Sequence, residues 1–259
     1  MTDKQPANTH RGIYLLPNLL TTAGLFSGFF AVVSSMNGRF EAAAIAIFVA
    51  MIFDGLDGRV ARLTNTQSEF GAEYDSMADI VSFGVAPALV AYNWGLSSLG
   101  KFGWLAAFIF VACAALRLAR FNTQIGTADK RYFQGLASPA AAAVIASLVW
   151  TGVEYEVNGH DFNLFVAPIT VIIGLLMVSN FRYSSFKEIE WKGKVPFVVV
   201  LVIVLIFSLV AARPAEVLLA VFGLYALSGP FITIRTVKKL KLEHVVGDDD
   251  ADFTDQDKK

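Results

Sequence analysis

The chain has few of the side chains that bind soft metals or form disulfides: its 259 residues include one cysteine and three histidines. Because the single Cys113 cannot form an internal disulfide, nothing in the sequence indicates an oxidising compartment. Charged residues are also scarce, at 17%, against 55% hydrophobic residues and a mean hydropathy of +0.56. This composition excludes an ordinary soluble domain, favours a membrane protein surrounded by lipids, and gives no reason to expect a nucleic-acid partner.

Eight apolar stretches are predicted to cross the membrane as helices, which makes the fold an all-α polytopic bundle. The first is an uncharged run of 23 residues, long enough to span the hydrocarbon, and no cleavable signal peptide is evident. The second begins near Glu41 and continues into an aspartate-rich stretch. The stretches are 13–35, about 41–57, 74–95, 103–121, 136–153, 162–180, 195–212 and 214–234.

The basic residues predict the orientation of this bundle. With eight spans, 18 of the 21 Lys and Arg residues fall on the side that holds the N-terminus, and only Arg39, Lys101 and Arg213 fall on the other. By the positive-inside rule, both termini face the cytoplasm, which in a bacterial cell means an inner-membrane protein. Residues 1–12 then form a cytoplasmic arm and 236–259 a cytoplasmic tail, whose acidic end from Gly247 is expected to be disordered.

Four aspartates stand between the second and third apolar stretches. Asp54 and Asp57 are three residues apart and Asp75 and Asp79 four apart, so each pair shares one face of a helix. Both pairs approach the same membrane face, where the positive-inside rule places the cytoplasm. Ionisable groups at membrane depth are costly and usually functional. We therefore expect the four carboxylates to converge on one site.

The chemistry of this stretch favours a hard divalent cation. Carboxylates placed so close repel one another unless a positive ion lies between them, and oxygen-rich sites suit Mg²⁺, Mn²⁺ or Ca²⁺. No His or Cys lies between Asp54 and Asp79, so a zinc or copper site of the usual type is not expected. Small residues at Gly58, Ala61 and Gly71 leave room for a phosphate. The alternative is a polar loop whose aspartates cap helix ends.

The spacing Asp54-x-x-Asp57-Gly58-x-x-Ala61-Arg62, eight residues, Gly71-x-x-x-Asp75-x-x-x-Asp79 resembles the signature of the CDP-alcohol phosphatidyltransferase family at all eight fixed positions. The resemblance implies a membrane enzyme that displaces CMP from a CDP-linked lipid, with two divalent cations, Mg²⁺ or Mn²⁺, on the four aspartates. It also implies that Asp79 is the base for the acceptor hydroxyl. It further implies a six-helix core over 13–192, two additional helices within 193–235 and a homodimer.

The first helix and the signature itself supply candidate nucleotide and phosphate contacts. Pro17-Asn18-Leu19-Leu20-Thr21 is also consistent with an ordinary helix entry, but a similar Asn-x-x-Thr element lies beside the nucleotide in the family it resembles. The expected nucleotide and phosphate set is Asn18, Thr21, Gly58, Ala61, Arg62 and Gly71.

Two later motifs bear on the acceptor alcohol. RLARFN at 117–122 places two arginines on one helix face, where they could bind a phosphate or carboxylate or simply anchor a cytoplasmic helix end. FQGLASPA at 133–140 also fits a loop-to-helix junction with Gly for the turn, Ser as cap and Pro in the first turn. Together the motifs resemble the subfamily that transfers phosphatidyl from CDP-diacylglycerol to L-serine, apart from Ala137, where Pro is expected. Expected acceptor contacts are Arg117, Arg120, Arg131, Gly135 and Ser138.

Two alternatives remain open at the sequence level. The same chemistry with glycerol 3-phosphate, inositol phosphate or choline as acceptor would keep the aspartate site and change the residues around it. A divalent-cation transporter would use the intramembrane aspartates as an ion path. The clustering of the aspartates near one face and the small residues between them favour the transferase.

Overall fold

The computed structural model describes residues 15–123, 132–184 and 197–253, and these residues are almost entirely helical. The predicted all-α class is confirmed. The helices are α1 Leu15–Met36, α2 Phe40–Leu63, α3 Glu69–Asp79, α4 Ala86–Trp94, α5 Lys101–Thr123, α6 Ser138–Glu154, α7 Asn163–Val178, α8 Phe197–Ala212 and α9 Pro214–Phe253. A π-helical turn, Ile80–Val85, joins α3 to α4, and a 3₁₀ turn, Leu96–Leu99, precedes α5.

Helices α1 and α2 form a close hairpin through a turn at Gly38, which has a positive φ of 72°. Many of the buried residues on these two helices are small, which lets backbones approach closely. On α1 these buried residues are Gly24, Ser27, Gly28 and Ala31, and on α2 they are Ala43, Ala44, Ala46 and Ala50. The hairpin fixes the orientation of α2 relative to α1, and with it the positions of Asp54 and Asp57.

Helix α3 begins earlier than the sequence suggested. We expected the connection after α2 to run to Glu73, but it ends at Ser68, whose Oγ accepts a 3.0 Å hydrogen bond from the backbone N–H of Gly71. Ser is a favoured N-cap because its hydroxyl oxygen satisfies one of the free N–H groups of the first turn. The cap therefore starts the helix six residues, nearly two turns, before Asp75, the first aspartate of the second pair.

The core is centred on α6, which is rich in alanine and contacts α2, α4, α7 and α9. Its run from Ala140 to Ala146 is entirely buried. Small side chains there allow several helices to pack around one axis, while larger residues such as Phe83 and Phe110 fill the spaces between them. The result is a rigid scaffold beneath the end of the bundle that carries the aspartates.

A short two-stranded ladder, which the sequence did not suggest, lies between the helices. Strand β1, Tyr132–Gln134, pairs antiparallel with β2, Arg182–Ser184, and Phe133 faces Tyr183. Two strands of three residues carry little periodicity, so sequence pattern alone cannot find them. The ladder brings the segment before α6 next to the segment after α7.

The last helix is longer than its apolar part. Helix α9 continues to Phe253, so the stretch from Gly247, for which we expected disorder, ends in helix; residues 254–259 lie outside the described part. Helix extension adds one hydrogen bond per residue once a helix exists, which lets it run into a sequence with poor intrinsic propensity. Pro230 lies within this helix.

Among the described residues, three helical segments are long and apolar enough to cross a membrane: Leu15–Met36, Lys101–Thr123 and Pro214–Thr233. Two shorter apolar helices, Ser138–Glu154 and Asn163–Val178, accompany them. Large apolar side chains face outward, which is expected where lipid replaces water; examples are Phe26, Phe29, Phe108, Leu164, Phe165 and Leu224. These features fit a membrane protein, while the count of eight spans and the division at 192/193 stay predictions.

Candidate active site

Three of the four aspartates converge at one end of the bundle. One carboxylate oxygen from each of Asp54, Asp57 and Asp75 can be chosen so that all three lie within 4.8 Å of one another. Asp57 is only 4% exposed, and the other two are partly buried. The alternative of scattered capping aspartates is therefore wrong for these three residues, which face one another across α2 and α3.

Asp79 completes the group from the end of α3. It lines the same partly open cavity as the other three aspartates. Its carboxyl interacts electrostatically with that of Asp54, and the carboxyl of Asp75 does so with that of Asp57. Four carboxyl groups this close cannot all carry charge without strong repulsion unless a cation lies among them.

Helix α1 supports the cluster through a threonine. The hydroxyl of Thr21 donates to Asp57 Oδ2 at 2.6 Å, and it also lies 3.1 Å from the Pro17 carbonyl oxygen. A hydroxyl has one proton, so the shorter contact to a charged acceptor is the favoured one. The structure brings Thr21 into direct contact with the Asp57 carboxylate; the expected contact of Thr21 with a nucleotide stays a prediction.

The π-helical turn directly after Asp79 packs tightly on α1. A Cβ added at Gly28 would lie 2.7 Å from Ser82 Cα, and Ser82 Oγ donates to the Gly24 carbonyl at 3.2 Å. Single π-helical turns inside α-helices often accompany functional sites. Here the turn displaces the helix after Asp79 so that Ser82 reaches the α1 backbone.

The remaining nucleotide and phosphate candidates are spread over three elements. Asn18 lies beside α3, since its Oδ1 would be 3.4 Å from a Cβ at Gly71. A Cβ at Gly58 would meet no atom within 4 Å, which leaves open space beside the aspartates. Ala61 follows one turn later on α2, and Arg62 is exposed. Their contact with a nucleotide stays a prediction.

Helix α5 brings a partly buried arginine close to the aspartates. Arg117 Nη1 donates to Ser138 Oγ at 2.5 Å, and its charge interacts with Asp79 and Asp54. Ser138 is fully buried at the start of α6, but it is not the N-cap: that position belongs to Ala137. The Ser138 hydroxyl thus holds the arginine rather than the helix end.

The other acceptor candidates occupy different surroundings. Arg120 Nη1 donates to Asn180 Oδ1 at 3.4 Å. Gly135 has a φ of +78°, and a Cβ there would lie 2.2 Å from the Met177 carbonyl oxygen, so this glycine is required by the turn before α6. Arg131 lies outside the described residues.

Several residues at the site were not identified from the sequence. Gly24, Ala50, Ala78, Ser82 and Phe83 also line the cavity. The spacing Gly24-x-x-x-Gly28 on an apolar helix is a signal of close helix approach and would have indicated the α1 face.

Comparison with known proteins agrees with the geometry. The family profile of CDP-alcohol phosphatidyltransferase matches residues 14–178, which include all four aspartates, Arg117 and Ser138. The chain belongs to this family. Members are generally dependent on divalent cations, and the donor set fits one, because three carboxylate oxygens converge with no His or Cys among the cavity-lining residues.

Relatives cover most of the chain. A Helicobacter pylori (strain 26695) protein named CDP-diacylglycerol–serine O-phosphatidyltransferase is 42% identical over 218 residues, 84% of this chain and 90% of the relative. A Methanocaldococcus jannaschii protein of the same name is 44% identical over 142 residues, 55% of this chain and 63% of the relative. An archaetidylserine synthase of Methanothermobacter thermautotrophicus is 36% identical over 170 residues, 65% and 69% of the two chains.

Proposed function

We propose that the protein is a CDP-diacylglycerol–serine O-phosphatidyltransferase, which transfers phosphatidyl from CDP-diacylglycerol to the hydroxyl of L-serine and releases CMP. The observation that carries this proposal is the convergence of the aspartate carboxylates close to Arg117: the aspartates offer oxygen ligands, and Arg117 offers a partly buried cation whose charge interacts with Asp79 and Asp54. The shared name of the relatives supports serine as the acceptor.

The aspartates would hold the cations of this reaction. Asp54, Asp57 and Asp75 would supply ligands from the group in which their carboxylate oxygens converge, and Asp79 would complete a site for two ions, with Mg²⁺ or Mn²⁺ suited to a set made only of oxygen donors. When bound, the cations neutralise charge on the diphosphate and on the departing CMP. The Thr21 hydroxyl fixes the orientation of the Asp57 carboxylate.

The lipid substrate binds between α1, α2 and α3, with its acyl chains in the surrounding lipid. Asn18 and Thr21 on α1 approach the nucleotide, and the open space at Gly58, with Ala61 on the following turn, admits the diphosphate. Because Gly71 has no side chain, it leaves room on the surface of α3 beside Asn18. Arg62 is exposed and contacts phosphate from outside the cavity.

Serine binds on the Arg117 side. Its carboxylate pairs with a guanidinium, for which the partly buried Arg117 is the best placed because Ser138 orients it and its charge interacts with Asp79. Arg120 and Arg131 are second contacts for the carboxylate or for phosphate, and Gly135 shapes the turn that carries Ser138. The serine ammonium is attracted by the carboxylates.

The transfer is a single displacement at phosphorus. The serine hydroxyl oxygen forms a bond to the phosphorus that bears diacylglycerol, its proton passes to Asp79, and the bond from that phosphorus to the CMP oxygen breaks. CMP leaves, and phosphatidylserine remains in the membrane. Asp79 is suited to this role because it ends α3 in the cavity that the other three aspartates line, and its charge interacts with Arg117.

The setting of the enzyme follows from the charge distribution. The excess of Lys and Arg on the side of the aspartates supports an inner-membrane protein with both termini and the active site in the cytoplasm. We further propose that it acts as a homodimer, as expected for its family.

The experiment that tests this function is CMP release by the purified protein in detergent with CDP-diacylglycerol and Mn²⁺ or Mg²⁺. Serine, glycerol 3-phosphate, inositol phosphate and choline are offered separately. We expect serine-dependent release that is lost in Asp79→Asn and retained in the matched control Asp161→Asn, an exposed aspartate in the loop before α7.

Each other result rejects part of the proposal. Release with another acceptor and none with serine would keep the site and overturn the serine assignment. No release with any acceptor, in protein that binds Mn²⁺, together with Mn²⁺ flux into proteoliposomes, would favour a cation transporter instead.

A further inference from the structure

The last two turns of α5 carry three polar side chains that each contact a different element. Arg117 Nη1 donates a hydrogen bond to Ser138 Oγ at the start of α6. Arg120 Nη1 donates at 3.4 Å to Asn180 Oδ1, which follows α7. These two contacts, with the packing of α5 along α7, fasten the end of α5 to the rest of the bundle. The third side chain, Asn122, has no part in the proposed function.

Asn122 contacts α3, the helix that carries the second pair of aspartates. Its Nδ2 lies 3.0 Å from Ser76 Oγ, and its Oδ1 lies 3.4 Å from the same atom. The Ser76 hydroxyl has one proton, which it donates to the Ala72 carbonyl oxygen at 3.0 Å, so its oxygen accepts from the Asn122 amide. Ser76 directly follows Asp75 in the chain. The hydrogen bond therefore holds α3 beside one of the proposed cation ligands.

A second hydrogen bond holds α3 on another side. The hydroxyls of Thr22 on α1 and Tyr74 on α3 lie 2.9 Å apart. Successive residues of a helix are about 100° apart around its axis, so Tyr74 and Ser76 are about 200° apart, with Asp75 between them. Hydrogen bonds on two such sides resist rotation of α3 about its own axis. They thereby fix the face of α3 that carries Asp75 and, about one turn later, Asp79.

Rotation of α3 matters because the proposed cation ligands come from two helices. Carboxylate oxygens of Asp54 and Asp57 on α2 converge with one of Asp75 on α3. Repulsion among these groups acts to turn or move α3 away from α2. A contact that keeps the ligands in place before a cation arrives raises the affinity, because less ordering is left for the binding step.

We propose that Asn122 is a positioning residue for the cation site, which acts through Ser76 to hold α3 with Asp75 and Asp79 facing the aspartates of α2. The inference rests on the proposed function only in taking these aspartates as cation ligands. It gives the RLARFN stretch two roles, since Arg117 is assigned to the acceptor and Asn122 to α3.

The test is a double-mutant cycle on the full-length protein in detergent. Asn122→Ala and Ser76→Ala each remove one partner of the hydrogen bond, and the double variant removes both. Because Asn122 acts through Ser76, the second substitution should add little to the first.

The matched control is Asn163→Ala, which removes a hydrogen bond of the same kind. Asn163 is partly buried, as Asn122 is, and its Nδ2 donates at 2.7 Å to Ser98 Oγ. This bond joins the start of α7 to the 3₁₀ turn before α5, so it lies at the opposite end of α5 from Asn122.

Two readouts are taken without substrate. The first is Mn²⁺ binding, and because the hydrogen bond involves no cation ligand directly, its loss acts only through the positions of Asp75 and Asp79. We expect affinity to fall on the order of tenfold in Asn122→Ala, in Ser76→Ala and in the double variant alike, with no change in Asn163→Ala. The second readout is amide hydrogen exchange in metal-free protein, which should accelerate over 72–79 in the first three variants only.

The remaining outcomes overturn the proposal or the function beneath it. Unchanged Mn²⁺ affinity in Asn122→Ala, an equal loss in Asn163→Ala, or additive losses in the double variant would each overturn the role of Asn122 through Ser76. Unchanged exchange over 72–79 would show that the bond does not hold α3. A wild-type protein that binds Mn²⁺ but releases no CMP with serine would reject the proposed function alone, whereas one that binds no Mn²⁺ would reject both.

Discussion

Replacing Thr21 with valine should weaken divalent-cation binding without altering any ligand. Valine has nearly the shape of threonine but has no hydroxyl, so the variant loses the 2.6 Å hydrogen bond to Asp57 Oδ2. Both partners are almost fully buried, at 5% and 4% exposed, so water does not replace the lost donor. A hydrogen bond to a charged group contributes about 1.5–3 kcal/mol.

That hydrogen bond is present without a cation, so its loss changes affinity only through the orientation of Asp57; for such an effect we expect a decrease on the order of 10- to 100-fold. Residues that hydrogen-bond to metal ligands have effects of this size in other metal sites. The measurement is Mn²⁺ binding to the purified protein without substrate, followed by the Mn²⁺ concentration that gives half-maximal CMP release. Both should shift by the same factor.

The matched control is Thr170→Val. Thr170 is fully buried on α7, and its hydroxyl donates at 2.8 Å to the carbonyl four residues earlier, the same local contact that Thr21 has to Pro17. Thr170 is not among the residues that line the cavity. Equal cation affinities in the two variants would refute the reasoning, because the loss in Thr21→Val would then not come from Asp57.

Three further predictions concern other parts of the site. Arg117→Lys should raise the KM for serine at least tenfold, since an ammonium cannot reproduce the contacts of a guanidinium to Ser138 and a carboxylate; kinetics with serine and CDP-lipid varied separately would show it, and an equal rise in both KM values would contradict it. Gly28→Ala should destabilise the protein by about 1–3 kcal/mol, because its Cβ would lie 2.7 Å from Ser82 Cα, whereas Gly223→Ala should be tolerated, with nothing within 4 Å; denaturation in detergent compares the two, and equal stability would count against the packing. Removing divalent cations with EDTA should abolish CMP release, and adding back Mn²⁺ should restore it; activity that persists in EDTA would exclude the role of the aspartates as metal ligands.

The sequence was most informative where residues that act together lie only a few positions apart in the chain. The pairs Asp54/Asp57 and Asp75/Asp79 each lie within about one helical turn, so their shared faces could be predicted from periodicity alone. The two pairs lie at the adjoining ends of two apolar spans that a short connection joins. They could therefore be expected to meet at the same membrane face. The structure confirms the convergence for Asp54, Asp57 and Asp75, and it places Asp79 in the same cavity.

The sequence was less informative where a residue acts through a partner that is remote in the chain. Tyr183 and Ala226 are 43 residues apart, and the need for their hydrogen bond arises from Pro230, which in sequence indicates only a helix disturbance. Ser138 precedes a proline at a helix start and has the features of an N-cap, but its hydroxyl oxygen accepts a hydrogen bond from Arg117 instead. Such contacts depend on how the helices pack, which local pattern does not specify.

The contacts of α1 explain how four carboxylates stay together before any cation binds. Repulsion among them acts to separate α2 from α3, the two helices that carry them. Helix α1 contacts both: Thr21 binds Asp57 on α2, and Thr22 lies 2.9 Å from the Tyr74 hydroxyl on α3. The Ser82 hydroxyl then fastens the turn after Asp79 to the same helix.

Helix α1 therefore opposes the electrostatic strain at three places along its length. The strain is retained in the folded protein rather than relieved by separation of the helices, and a cation that enters the site removes it. Binding energy that would otherwise be needed to bring the ligands together is then available for affinity, because the ligands are already in place. Close packing of the helix backbones lets α1 contact both of the helices that carry the carboxylates. The small residues of the α1–α2 hairpin therefore support the aspartate site as well as the fold.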